Sequence, residues 1–184
     1  MEIKIYPDPC LRIQTKPVER FDREIGDILR SMTDMMYIYR GIGLAATQVG
    51  LGLSILVIDI GEELMSFINP VILDVSNDRE KMEEGCLSLP GIMVNVSRPR
   101  KVTVRAQDKA GSFFMKQLDG LSARAVQHEM DHLNGRLIID YLDPVRRFLT
   151  TRKLKSSKNR QIKKTCEVIC NVRRKNKRDT ETSA

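Results

Sequence analysis

The chain contains two histidines, His128 and His132, four residues apart with Glu129 between them in the run Gln127-His-Glu-Met-Asp-His-Leu133. Four residues is about one helical turn, so on a helix both imidazoles stack on one face. Leu121 and Ala125 extend that face, which should therefore point inward. Glu129 sits beside it, placed to lean over an ion bound by the pair. This is the spacing of a metallohydrolase helix. A helix from about Leu121 to Leu133, ended by Asn134-Gly135, is thus expected as an interior element of the fold.

The rest of the chain reads as one domain built around it. From about Arg23 to Arg40, Ile25, Ile28, Leu29, Met32, Met35, Met36 and Tyr39 form an apolar stripe at helical spacing. Asp22 can cap that helix and Gly41 can end it. Leu53–Ile60 is expected as a buried strand, and Met65–Ile72 as another, interrupted by Asn69-Pro70. Lys101–Gln107 alternates as a half-buried strand should, and Ser112–Gln117 returns from the Asp108–Gly111 turn as its hairpin partner. The gaps are too short for crossover helices, so the pairing is antiparallel or mixed. Asp143-Pro144 is a start signal for a third helix. The order helix, strands, helix, strand, helix gives an α+β domain with a helix packed into antiparallel sheet.

Charge and composition exclude other classes. The net charge of +7 suggests nucleic acid until it is mapped. Residues 151–184 hold 12 Lys/Arg against 3 Asp/Glu, while residues 1–150 hold 19 against 21. The body is nearly neutral, and the basic signal belongs to the C-terminal extension. The expected division is therefore a domain over 1–150 and a basic extension, partly disordered, over 151–184. No apolar run approaches the roughly 18 residues that cross a membrane, and Met1–Pro7 lacks the features of a secretion signal. Four cysteines are too few for a disulfide scaffold, which points to a reducing cytoplasm.

Two histidines do not complete a catalytic site, which usually has three protein ligands and an open position. Downstream, Asp140, Asp143, Glu167, Asp179 and Glu181 are the acids, and none is a persuasive ligand. Upstream lies Cys86, in Glu83-Glu-Gly-Cys-Leu-Ser-Leu-Pro90, where Gly85 permits close approach. A structural site using Cys166 or Cys170 as a fourth ligand is the rival, but it leaves Glu129 without a purpose. In Gly41-Ile-Gly-Leu-Ala-Ala-Thr-Gln48, two glycines let backbone come near a ligand and Gln48 offers an amide.

Together, Gly41–Gln48, Glu84-Gly85-Cys86-Leu87-Ser88 and His128-Glu129-Met130-Asp131-His132 resemble the three motifs of peptide deformylase, in that family's order and spacing. The resemblance covers about residues 1–150. It implies an enzyme that removes the formyl group from the N-terminal N-formylmethionine of newly synthesised polypeptides and releases formate. It implies Cys86, His128 and His132 as ligands of one divalent metal, usually Fe²⁺, with Zn²⁺, Ni²⁺ or Co²⁺ as substitutes. Glu129 would be the general base, with the Gln48 amide and the Leu87 backbone N–H stabilising the oxyanion.

Backbone around Ile42, Gly43 and Leu44, and the segment after Pro90 beginning at Gly91, would pair with the peptide as an added strand. Leu121 and Ala125 would line a methionine pocket, with the Arg124 stem at its mouth. Glu84, Arg98 and Asp131 match positions that orient the ligands, with an Arg98–Asp131 pair expected. Seven residues past the cysteine this chain has Met93 where many bacterial members have Arg. A basic extension would suit the ribosome, through its RNA or proteins near the exit tunnel. Cys166 and Cys170 are read as incidental thiols.

Overall fold

The computed structural model describes residues 1–156. It contains α1 (Arg23–Ile38), α2 (Gly120–Leu133) and seven strands: β1 (Gly43–Ala45), β2 (Ile55–Ile58), β3 (Met65–Val75), β4 (Arg79–Gly85), β5 (Met93–Pro99), β6 (Lys101–Gln107) and β7 (Phe113–Asp119). A five-stranded sheet runs β1-β2-β3-β6-β7, and β4 pairs with β5 separately. All of the strand pairings are antiparallel. Two compact units divide after Asp143, and the described part of the second is a helix, α3, over residues 144–156. The fold is α+β, as the element order led one to expect.

The continuous apolar run of β2 is explained by a helix on each side of it. Leu56 and Ile58 pack with Phe67, Val104, Ala123 and Val126 in the core beneath α2. Ile55 and Val57 point the other way, into a core formed with Leu29, Met32 and Met36 of α1. Successive strand residues face opposite sides, so a strand covered on both faces has no polar position to alternate with.

Asn69-Pro70 does not break β3. Asn69 takes a left-handed backbone with φ of 52°, and the register against β6 slips between Ile68 and Val71. The Asn69 side chain makes good the disturbed ladder. It accepts from the Val18 N–H at 2.8 Å and donates to the Val18 carbonyl at 2.9 Å. The strand expected between α2 and α3 is instead a 3-10 turn, Ile138–Tyr141.

Sequence reading missed the hairpin β4–β5. β4 is exposed at every position but Glu84, and β5 points Val94, Val96 and Arg98 inward. β4, whose one buried residue is charged, lacks the apolar alternation that marks a strand, and in β5 the alternation is only two valines long before a buried arginine.

Gly135 ends α2 in the left-handed region, with φ of 68°. A Cβ there would lie 2.6 Å from the Arg12 carbonyl oxygen. Gly135→Ala therefore meets both a conformational penalty, about 1–2 kcal/mol, and a backbone collision. The expected result is a melting temperature lower by at least about 2 °C, read by calorimetry. An unchanged melting temperature would contradict this account of the helix end.

Candidate metal centre

α2 presents its apolar residues Ala123, Val126 and Leu133 to the core. That fixes its rotation and directs His128, Glu129 and His132 toward the turn after β4. Cys86 occupies that turn, which the Leu89 N–H closes by donating to the Cys86 carbonyl at 2.9 Å. One ligand atom from each of Cys86, His128 and His132 lies within 4.8 Å of the other two. Cys86 Sγ is 3.2 Å from His132 Nε2, and the two imidazole centroids are 5.2 Å apart.

The donor set suits a metal. Ligand bonds of about 2.3 Å to sulfur and 2.0–2.1 Å to nitrogen place neighbouring donors of a tetrahedron about 3.5 Å apart, close to the Sγ–Nε2 separation. His128 Nδ1 is 2.9 Å from Glu84 Oε2. A carboxylate there holds the Nδ1 proton and leaves the Nε2 lone pair for an ion.

Glu84 is the hub behind the ligands. Arg98 Nε and Nη2 donate to its two oxygens at 2.7 and 2.9 Å, and Arg124 Nη1 donates to Oε1 at 2.7 Å. Burial alone would raise the Glu84 pKa, but the hydrogen bonds from His128 and Arg98 outweigh it and hold it down at about 2. Arg98 is correspondingly raised. Burial works against charge on His128 too, yet Cys86 and Glu84 push it well above its usual value, whereas burial and the neighbouring His128 push His132 well below. Glu129 is pushed up to about 7 by burial, against the opposing charges of His128 and Arg98. Its Oε2 is buried without a hydrogen-bond partner, as is His132 Nδ1.

A cavity of about 300 Å³ opens onto this cluster. Cys86, His128 and Glu129 line it, with Gln48 and Leu87 beside them. Ile42, Gly43, Leu121 and Ala125 form further wall. Gly43 makes room for the acid, because a Cβ there would collide with Glu129 Oε1. Gln48 accepts from the Ala45 N–H through Oε1 at 2.8 Å. Its Nε2 donates to Ser88 Oγ at 3.3 Å and stands 3.6 Å from Cys86 Sγ.

The other expected residues take different places. The Leu44 side chain is buried in the core with α1, while its backbone belongs to β1. Gly91 is outside the cavity lining, on an exposed turn with φ of 71°. Arg98 meets Asp131 at 2.9 Å behind the ligands. Arg124 lines the cavity, but its guanidinium is buried against Glu84 and the carbonyls of Glu80 and Val96 rather than edging the mouth. Tyr141 went unread, since a lone hydroxyl carries no periodic or spacing signal, and Ser88, though part of the second motif, was given no contact with Gln48. Cys166 and Cys170 lie outside the described residues.

The polypeptide deformylase family model matches residues 1–148. A Thermotoga maritima peptide deformylase is 43% identical over 152 residues, spanning 83% of this chain and 93% of that protein. One from Hahella chejuensis is 46% identical over 157 residues, spanning 84% and 94%. The crystal structure of a peptide deformylase from Legionella pneumophila aligns with a TM-score of 0.81 at 43% identity, over 88% of this chain and 96% of that one.

Proposed function

The chain belongs to the peptide deformylase family of hydrolases, and from that premise we propose that it removes the formyl group from the N-terminal N-formylmethionine of newly synthesised polypeptides. The observation that carries this reading is the cluster of Cys86, His128 and His132 beside a buried Glu129 oxygen with no partner.

Cys86, His128 and His132 would hold one divalent ion. A thiolate with two imidazoles suits Fe²⁺, our assignment for the cell, and equally Zn²⁺, Ni²⁺ or Co²⁺. When bound, the ion supplies Lewis acidity, which lowers the pKa of water toward neutrality and polarises the formyl carbonyl. Glu129 accepts the proton lost by the attacking water and passes it to the departing amine. The Gln48 amide is oriented by Ala45 and Ser88, and with the Leu87 N–H it donates to the oxyanion as charge develops there. The products are formate and a peptide with a free amine.

β1 stands at the edge of the larger sheet, so backbone from Ile42 to Leu44 offers a row for an added peptide strand. Leu121 and Ala125 supply the apolar wall for the methionine side chain. Glu84, Arg98 and Asp131 orient His128 from behind. Catalysis is assigned to residues 1–150, in keeping with the family match, and ribosome association to the basic 151–184 extension, of which 157–184 lie outside the described residues. No helix among the described residues is long and apolar enough to cross a membrane, and a cytoplasmic place of action follows from the nascent-chain substrate.

The test is formate release from formyl-Met-Ala-Ser by anaerobically purified, Fe²⁺-loaded protein, beside the unformylated peptide. Formate from the first and no cleavage of the second is the expected result. Cleavage of the unformylated peptide would instead make the chain a general metalloprotease. A folded, metal-loaded protein with no turnover would overturn the reading.

A further inference from the structure

We infer that Tyr141 is a positioning residue for the metal centre, acting on His128 through a continuous chain of hydrogen bonds. This rests on the metal reading above.

Tyr141 closes the 3-10 turn after α2. Its hydroxyl donates to Asp131 Oδ2 at 2.7 Å. The same Asp131 oxygen accepts from Arg98 Nη1 at 2.9 Å, and Arg98 Nη1 also reaches the Tyr141 oxygen at 3.4 Å. The hydroxyl is thus donor and acceptor at once, and the three groups close a ring. The other edge of the Arg98 guanidinium grips both oxygens of Glu84, and Glu84 Oε2 meets His128 Nδ1.

The geometry explains how a residue outside the cavity acts on it. A guanidinium is planar and its donors point in fixed directions. Holding Nη1 against Asp131 and Tyr141 sets the plane in which Nε and Nη2 meet Glu84. That plane sets the carboxylate orientation, and the carboxylate sets the ring and tautomer of His128. Arg98 and Glu84 are almost fully buried, 4% and 6% exposed, so water does not readily enter their half of the chain, whereas Tyr141 at its outer end is 38% exposed. The Tyr141 ring also lies 5.3 Å from the Arg98 guanidinium carbon and 5.5 Å from that of Arg136, contacts that phenylalanine keeps. Tyr141→Phe therefore removes what the hydroxyl does, its hydrogen bonds with Asp131 and Arg98 and its interaction with Arg136, and leaves the ring in place.

Replacing a direct hydrogen-bond partner of a ligand typically costs 10–100-fold in metal affinity, and a partner further out is expected to cost less, about 3–10-fold. The experiment measures Co²⁺ affinity by competition with a chromogenic chelator, the visible Co²⁺ spectrum, and kcat and KM on formyl-Met-Ala-Ser. For Tyr141→Phe the expected result is an affinity lower by about 3–10-fold, a shifted Co²⁺ band, a lower kcat and an unchanged KM. Asp131→Asn should act in the same direction, with the double variant no worse than the stronger single one.

Wild-type Co²⁺ affinity and spectrum in Tyr141→Phe, with only a lower melting temperature, would overturn the inference and leave a structural tyrosine. Additive losses in the double variant would overturn the shared path. The Co²⁺ measurements need no turnover, so they decide this inference even if the deformylase reading fails.

Discussion

Replacing Glu129 with glutamine is expected to lower formate release by about 10²–10⁴-fold, the usual contribution of a positioned proton-transfer group, while leaving metal content unchanged. Glutamine has nearly the same shape and stays in the same slot beside Gly43, but it cannot take the proton from water. Glu129 is not among the three grouped ligand residues, so the ion should remain. The fold should not suffer either. Glu129 is 4% exposed and one of its oxygens has no partner. A carboxylate held that way is destabilising when charged, and an amide removes the charge. The variant should melt at or above the wild-type temperature, the common signature of a group kept for function at the expense of stability. Formate assay, metal analysis and calorimetry on one preparation check all three statements. Turnover within threefold of wild type would remove Glu129 from the mechanism.

The opposite balance is expected at Glu84. Its carboxylate joins Arg98, Arg124 and His128, and both arginines are more than nine-tenths buried. Glu84→Ala leaves the buried Arg124 guanidinium with carbonyl partners only and takes from the buried Arg98 the carboxylate that grips two of its three donors. Breaking a buried ion pair by removing one partner costs about 3–5 kcal/mol, which for a domain of this size lowers the melting temperature by roughly 6–20 °C. His128 also loses the carboxylate at its Nδ1, so metal affinity should fall by about 10–100-fold. Calorimetry with chelator competition reads both. A variant that melted with wild type and held its metal equally well would show that the network is not needed. The two substitutions separate a residue that does chemistry from one that holds the chemistry in place: Glu129→Gln loses rate and keeps stability, while Glu84→Ala loses stability and metal together.

Much of this was legible in order of residues. The stripe of α1, the paired histidines and the Asn134-Gly135 stop of α2, the alternation in Lys101–Gln107 and the turn at Asp108–Gly111 are local signals, and the elements lie within two residues of where those signals put them, although Leu121, expected to face inward on α2, is 43% exposed. The β4–β5 hairpin was not legible, because the one buried residue of β4 is Glu84 and the alternation in β5 is only Val94 and Val96 before it passes to Arg98. Asn69-Pro70 reads as a break, yet Asn69 satisfies the bulge with Val18, a partner 51 positions away.

By itself the sequence determined the metal-binding helix. An imidazole at i and i+4 with an acid between is a local geometry, set by the helix pitch alone. It also determined, through three motifs in order, the family the chain resembles. Only the tertiary structure decided what surrounds that helix. Nothing in the spacing says that Arg124 turns inward to Glu84 rather than outward to water, that Leu44 belongs to the core, or that Tyr141 closes a ring with Asp131 and Arg98. A charged side chain on a helix looks the same in sequence whether buried or exposed. Which it becomes depends on whether a distant segment brings a partner that offsets desolvation, and that is settled by the packing of the whole chain.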